Sequence, residues 1–418
     1  MQTFLIHGRY RTEKWDYNHH VVPPISSSTT YRLESFERGA YGFEHFGSEE
    51  ETVHPIYIYD RLDEPVRGML EENLAHAEKG EYAVSFATGM AAISAILGVL
   101  LKAGDELVTH RTLYGCTYSL LTRWLPRFGI SVRFCDMCDP GSLGETISRR
   151  TRAVYFETPV NPTMDLVDIG GVREVVDRAT GERPGEDPLE IVVDNTFATP
   201  FCQRPLTLGA DVVVHSLTKN IGGFGTDMGG AVITPKRHLE ALLLFRKDFG
   251  GVLSPKSAWP ILVYGLPTLA LRLKQQQDSA NLIARFLARH PKVAHVSYPG
   301  LGDGRMQTIA KRQMSDYHGN FAPGMMLYFT LSGDPGESAR RCKQIVNFLA
   351  GQAYAVTLAV SLGQVRTLIE NPVAMTHSAI SSEDRARCGL DGSGLRLSVG
   401  LEDPKDIIED LNRALARI

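Results

Sequence analysis

Residues 212–230 read VVVHSLTKNIGGFGTDMGG. Three β-branched residues make a short apolar run of the length and type of a buried strand. The run ends at Ser216, Lys219 stands three residues on, and Gly222, Gly223, Gly225, Gly229 and Gly230 crowd the chain beyond it. A lysine just beyond a buried strand is either a charge leaving the core or a nucleophile held at the strand's end. The neighbouring sequence bears on the choice, because the same pattern recurs. DELVTH (105–110), ISVRFCD (130–136), TRAVYFET (151–158), LEIVVDNT (189–196), ADVVVHS (210–216) and GGAVITP (229–235) are short, rich in Val and Ile, and separated by helical stretches. YAVSF (82–86) runs through a Thr-Gly turn into an apolar helix. This alternation predicts an α/β fold with a mainly parallel, doubly wound sheet. Such sheets bind ligands at the carboxyl ends of their strands, which is where Lys219 falls.

The rest of the chain sets the organisation. At 418 residues it exceeds one ordinary core. Residues 1–65 show no sustained period and read as an extended arm without a core of its own. Residues 66–260 form the large domain and 261–418 a smaller C-terminal α/β domain. Within these, EPVRGMLEENLAHAEKG (64–80) predicts a helix capped by Gly80, and DRATGERPGEDPLE (177–190) a surface loop. Residues 260–290 predict one long helix or two joined ones. MMLYFTLS (325–332) and GLRLSVGLE (394–402) are the strands of the small domain.

Several function classes fall away. With 44 Lys+Arg against 48 Asp+Glu the net charge is −4, so no basic field for nucleic acid exists. No apolar run is long enough to span a bilayer, and MQTFLIHGRYRTEKWDYNHH lacks a signal-peptide core, so a cytoplasmic protein is expected. Six cysteines in a chain of this length do not make a disulfide framework. Cys135-x-x-Cys138 is half a zinc knuckle without its other half, and no metal is expected. There is no P-loop and no G-x-G-x-x-G after a strand.

What remains is polar groups at strand ends. The Gly89 and Met90 amides, at a predicted helix start, suit a phosphate. Asp194 ends one strand, Ser216 and Thr218 follow another, and Tyr114 lies beyond a third. Arg396 is the C-terminal candidate for holding a carboxylate. Together these are the parts that pyridoxal 5′-phosphate (PLP) needs: an amine, a carboxylate for the pyridinium nitrogen, phosphate donors and a stacking ring.

These stretches resemble the Cys/Met-metabolism PLP enzymes of fold type I, the cystathionine γ-lyase, methionine γ-lyase and O-acylhomoserine sulfhydrylase group. The resemblance runs from about Ser26 to the C-terminus and rests on DVVVHSLTKNIGG, VVDNTFATPFCQRPLTLGAD, YFETPVNPTM and LYGCT. It implies that Lys219 is the PLP lysine and the mover of protons, Asp194 the pyridinium partner, and Gly89, Met90, Ser216 and Thr218 the phosphate cup. It implies Tyr114 as stacking ring and acid, and Asn161 as partner of the cofactor's phenolic oxygen. Ser361 and Arg396 would bind the substrate carboxylate. Tyr59 and Arg61, in YIYDRLDEP, would reach a neighbouring subunit's phosphate site, in a homotetramer built from dimers that share active sites.

Within that group, Cys116 and Val360 resemble methionine γ-lyases, since cystathionine-cleaving members tend to carry Glu where Val360 stands. The expected reaction is α,γ-elimination of L-methionine to 2-oxobutanoate, ammonia and methanethiol. An O-acetyl- or O-succinylhomoserine sulfhydrylase, favoured by GFGTDMGG, and a cystathionine γ-lyase or γ-synthase are the alternatives. Glu64, Asn220 and Phe224 depart from the family's usual residues.

Overall fold

A computed structural model describes residues 1–8, 20–48, 56–181, 188–302, 304–377, 383, 385, 388, 390 and 392–418. The stretch quoted above becomes strand Val212–Ser216, the sixth of twelve among the described residues. In chain order the strands are β1 (Tyr82–Phe86), β2 (Glu106–His110), β3 (Ser131–Cys135), β4 (Thr151–Glu157), β5 (Glu190–Asp194), β6 (Val212–Ser216) and β7 (Gly230–Thr234). They form one sheet in the order β1-β7-β6-β5-β4-β2-β3. β2 to β6 are mutually parallel, and β7 runs antiparallel to both β6 and β1.

The Val triplet shows why this strand is central. Val212 and Val214 join the cluster under helix Gly89–Leu100, while Val213 faces the opposite cluster with Ile233 and Leu217. All three are 0% exposed. Only a strand covered on both faces buries three consecutive apolar residues, and each such side chain contributes about 1.5–3 kcal/mol. On the β4–β5 side, helix Ile169–Gly181 covers Val154, Ile191 and Val193. Helices therefore lie on both faces, as a doubly wound sheet requires.

The second sheet contains β8 (Val293–Ser297), β9 (Met326–Leu331), β10 (Val356–Leu358), β11 (Thr367–Glu370) and β12 (Gly394–Ser398), ordered β10-β11-β12-β9-β8. All its pairs except β10–β11 are antiparallel. Of these the sequence predicts only β9 and β12. β8, β10 and β11 are short or mixed in polarity and carry little periodic signal alone. The predicted long helix is helix Pro255–Pro260, a π-helical turn at Ile261–Gly265, and helix Leu266–Arg289.

Three sequence expectations change. The N-terminal segment is not free of the core: helix Gln2–His7 buries Leu5 to 1% exposure in the largest apolar cluster. A second helix, Phe36–Glu44, forms on the N-cap Ser35. The helix after Glu64 spans Pro65–Ala77, and the left-handed residue after it is Lys79 (φ 57°), not Gly80. Gly80 is glycine because a Cβ there would collide with Ile233. The predicted loop from Asp177 begins as helix up to Gly181; its residues 182–187 lie outside those described.

Candidate active site

The cleft lies at the carboxyl ends of β4, β5 and β6, where each strand hands over a polar side chain. Its volume is about 270 Å³. It brings together Gly89, Met90, Tyr114, Asn161, Asp194, Ser216, Thr218, Lys219, Val360, Ser361 and Arg396. Thus residues from both sheets, far apart in the chain, meet in one place.

The lysine is half-buried in the cleft lining. Its Nζ lies 2.7 Å from Ser361 Oγ. Among the described residues no carboxylate pairs with it. Burial, then the nearby Arg396 charge, lowers its pKa from the usual lysine range to about 8. That amine is a usable base and nucleophile near neutral pH. Ser361, its partner, is held at φ 88°, a conformation that costs a non-glycine residue about 1–3 kcal/mol. Gly363, two residues on, must be small because a Cβ there would come within 2.8 Å of Lys219's carbonyl carbon.

The two loop residues that the sequence left unexplained acquire partners here. Asn220 is fully buried and spans to the carbonyls of Thr196 and Phe197 at 3.4 and 3.3 Å. It thereby ties the lysine loop to the segment leaving Asp194. Phe224 lies under the guanidinium of Arg272, 5.5 Å from its ring. Arg272 also donates to the carbonyls of Asn220 and Gly265, at 2.9 and 2.7 Å, which pins the same loop from the long helix.

Asp194 accepts from the Thr196 amide at 2.9 Å and from the Tyr155 hydroxyl at 3.3 Å. Burial raises its pKa, and the Thr196 hydrogen bonds and His215 pull it back. Helix Gly89–Leu100 starts at the cleft, with Thr88 as N-cap accepting from the Ala91 amide at 3.0 Å. The helix leaves the Gly89 and Met90 amides without intrahelical carbonyls. A Cβ on Gly89 would stand 2.9 Å from Ser216 Cβ, and one on Gly230 would collide with the Thr88 carbonyl. The two glycines keep open a cradle of backbone donors. Thr218 Oγ1 is already engaged with Gly229, donating to its carbonyl (3.3 Å) and accepting from its amide (3.1 Å).

Arg396 is 3% exposed and donates to Asn161 Oδ1 (2.9 Å), the Ser361 carbonyl (2.8 Å) and Glu370 (2.9 Å). Glu370 in turn accepts from Thr376 at 2.8 Å. His377 contacts the Asn161 carbonyl at 3.3 Å, and burial lowers its pKa to about 4, so it is neutral. Thr376 and His377 belong to AMTHSAI (374–380), whose last three residues lie outside those described. Burial, with contacts to Cys116 and Glu157, pushes the Tyr114 hydroxyl well above the ordinary tyrosine range. Tyr114 thus holds its proton. Cys116 is exposed beside it, next to the cleft rather than within its lining.

Two further expected residues are not in this cleft. Tyr59 is 41% exposed and Arg61 donates to the Lys247 carbonyl. Glu64, the third departure, caps its helix by accepting from the Arg67 amide at 2.9 Å. Cys135 and Cys138 do not pair. Among the described residues, Cys138 instead gathers with His110 and Asp136. His110 Nδ1 accepts the Met137 amide, Arg111 pairs with Asp136 at 2.9 Å, and burial raises the Cys138 thiol to about 12, so all three groups are already engaged or protonated.

Sequence reasoning missed Glu157 and Glu370. Glu157 ends VYFE as Asp194 ends IVVD, and that parallel was a signal. Glu370 had none, because its partner Arg396 comes from the neighbouring strand.

The family model for Cys/Met metabolism PLP-dependent enzymes matches residues 2–416. The chain is 41% identical over 400 residues to an L-methionine gamma-lyase of Fusobacterium nucleatum subsp. polymorphum, covering 95% of this chain and 94% of that one. It is 37% identical over 366 residues to a cystathionine gamma-lyase of Bacillus subtilis, covering 87% and 90%. A crystal structure of cystathionine gamma-lyase from Lactobacillus plantarum, complexed with L-serine, superposes with a TM-score of 0.84 at 32% identity over 99% of this chain and 98% of that one.

Proposed function

The chain belongs to the Cys/Met-metabolism PLP-dependent enzymes and is a PLP-dependent carbon–sulfur lyase; from that premise we propose that its preferred reaction is α,γ-elimination of L-methionine to 2-oxobutanoate, ammonia and methanethiol. The cleft fits the cofactor. The glycine-lined cradle at a helix N-terminus suits its phosphate, buried Asp194 its ring nitrogen, and Lys219, an amine of depressed pKa, its aldehyde. PLP supplies that electrophilic aldehyde and an electron sink for charge developing at the substrate's Cα.

The chain's own residues do the rest. Arg396, held rigid by Glu370 and Asn161, binds the substrate carboxylate. Lys219 Nζ, steered by Ser361 Oγ, takes the Cα proton, hands it on to the bound cofactor, and as the free amine again takes a Cβ proton. Tyr114 Oη, with its proton retained, protonates the departing sulfur. Gly89, Met90 and Ser216 hold the phosphate, with Thr218 shaping the turn beneath. Tyr59 and Arg61 complete a second copy's phosphate site, consistent with their exposure outside their own cleft, in a homotetramer of dimers. The large and small domains divide at residues 66–260 and 261–418. No helix among the described residues is long and apolar enough to cross a membrane. With all six cysteines unbridged, the reading is a cytoplasmic enzyme.

One observation carries the substrate. The mouth of the cleft presents Val360, 54% exposed, and Met228, 62% exposed, rather than a carboxylate. An apolar rim suits a methyl thioether, and among the described residues that line the cleft Val360 and Met228 offer no charge to a distal ammonium. The test is a panel of L-methionine, L-cystathionine and O-acetyl-L-homoserine, with and without sulfide. Methionine should yield 2-oxo acid fastest; none from methionine overturns the reading. Sulfide-dependent homocysteine formation outpacing every elimination selects the sulfhydrylase, which the GFGTDMGG loop (223–230), Met228 included, favours.

Replacing Val360 by Glu should cut kcat/KM for methionine by about tenfold or more and narrow the gap to cystathionine. One rim contact is worth about 1–3 kcal/mol of discrimination. Equal kcat/KM values for methionine in V360E and wild type would remove Val360 from the specificity argument.

A further inference from the structure

We propose that Glu157 is a positioning residue that works as an uncharged carboxylic acid, fixing the backbones of Tyr114 and Asn161 and leaving Asp194 the single anion facing the cofactor ring. The inference rests on PLP as cofactor, not on methionine as substrate.

Glu157 ends β4 and lines the cleft, 6% exposed. Its register partner on β5 is Asp194. Two carboxyls at matched positions on adjacent strands, one buried and the other half-buried in the cleft lining, cannot both ionise cheaply; such a pair shares a proton. Their other contacts decide where it sits. Asp194 receives the Thr196 amide and the Tyr155 hydroxyl, and His215 on the next strand adds to the field that favours its charge. Glu157 accepts the Tyr114 amide at 2.8 Å and faces the Asn161 amide, and these donors and the Arg396 guanidinium pull its carboxyl down by less than burial and the Asp194 charge push it up. Arg396 itself is paired with Glu370 and also donates to Asn161 and the Ser361 carbonyl. Tyr114 and Tyr155, the remaining titratable groups nearby, both keep their protons. Burial and the Asp194 charge push the Glu157 carboxyl well above the ordinary range. A bound pyridinium strengthens the division, because it rewards an anion at Asp194.

The position is consequential because the two amides it faces belong to residues that line the cleft. Tyr114 carries the retained proton, and Asn161 holds Arg396. Glutamine is the informative substitution: it keeps an acceptor for those amides and carries hydrogens in place of the acid proton.

The experiment compares E157Q and E157A holoenzymes with wild type. It measures PLP affinity of the apoenzymes, the pH midpoint of the bound cofactor's visible band, and turnover. E157Q should keep PLP affinity within about threefold and move the midpoint by less than about half a unit, because no charge is lost. E157A should weaken PLP binding by about tenfold or more, because two buried amides lose their acceptor. Were Glu157 an anion, E157Q would strip a charge that favours protonated cofactor, and the midpoint would fall by about one unit or more; that fall overturns the proposal. Wild-type PLP affinity in E157A overturns the positioning role. Neutron diffraction on the wild-type holoenzyme decides independently of either variant: a deuteron on the Glu157 carboxyl supports the proposal, and a bare carboxylate at that position overturns it. None of these outcomes depends on which amino acid the enzyme prefers, so failure here is distinct from failure of the methionine reading.

Discussion

Lys219→Ala should abolish the lysine-dependent visible band of the bound cofactor and lower turnover by about 10⁴-fold or more. The proposed mechanism gives one nitrogen two functions: covalent capture of the aldehyde, and transfer of protons at Cα and Cβ. A single positioned acid–base group contributes about 10²–10⁴-fold, so loss of two such roles sets the lower bound. Among the described residues no second amine lines the cleft. Arg396, the other cation of the cleft, stays charged and is tied up by three oxygen partners. Lys219→Arg should therefore fail nearly as badly as Ala. The alanine variant leaves room beside Ser361, and a small primary amine added to it should restore part of the proton transfer. Turnover of K219A within about tenfold of wild type would overturn the assignment. The pH dependence has a defined sign. With a pKa of about 8, depressed by burial and Arg396, the free-enzyme amine is mostly protonated at neutral pH. Capture of PLP by apoenzyme should then quicken about tenfold per unit as pH rises and level off above about 8. A flat profile through that range would mean that the amine is not the group being titrated.

The sequence carried this half of the site because each element announces itself locally. Val212–Val214 can only be a strand covered on both faces, so the residues after it had to emerge at a strand end. The glycines around Ser216 and Lys219 mark close approach of backbone. Asp194 sits at the end of an equally apolar run. What escaped notice depends on pairings made across the fold. Glu157 meets Asp194 only once β4 lies beside β5, and Glu370 meets Arg396 only through the register of β11 on β12. Asn220 looks like a departure from pattern until its amide reaches the Thr196 and Phe197 carbonyls. Phe224 looks misplaced until Arg272 arrives from the long helix. The N-terminal residues carry no period because their helices are short. Leu5 is nevertheless fully buried, since packing against the long helix compensates for what six residues cannot stabilise alone.

Asp194→Asn should lower kcat by about 10³-fold while the protein folds and still takes up PLP, more weakly. Asparagine preserves the shape: its oxygen can still accept from the Thr196 amide, which bonds Asp194 Oδ1, and its NH2, standing where Oδ2 was, can donate to the Tyr155 hydroxyl oxygen. What disappears is charge. A carboxylate about 4 Å from a cation, at an effective dielectric of about 20, stabilises it by about 4 kcal/mol. Loss of that amount at the step where negative charge runs from Cα into the ring corresponds to about 10³ in rate. Because the lost interaction strengthens as that charge develops, the damage should fall on kcat more than on KM. The contrast with E157Q sharpens the prediction. Both substitutions replace a buried acid by its amide at matched positions on adjacent strands, so sterics and local hydrogen bonding change by similar amounts. If the site keeps one anion, D194N loses it and E157Q does not. The two variants should then differ by orders of magnitude in kcat and in the pH midpoint of the visible band. Comparable losses in both would mean that charge is shared across the pair, and that neither carboxyl alone faces the ring.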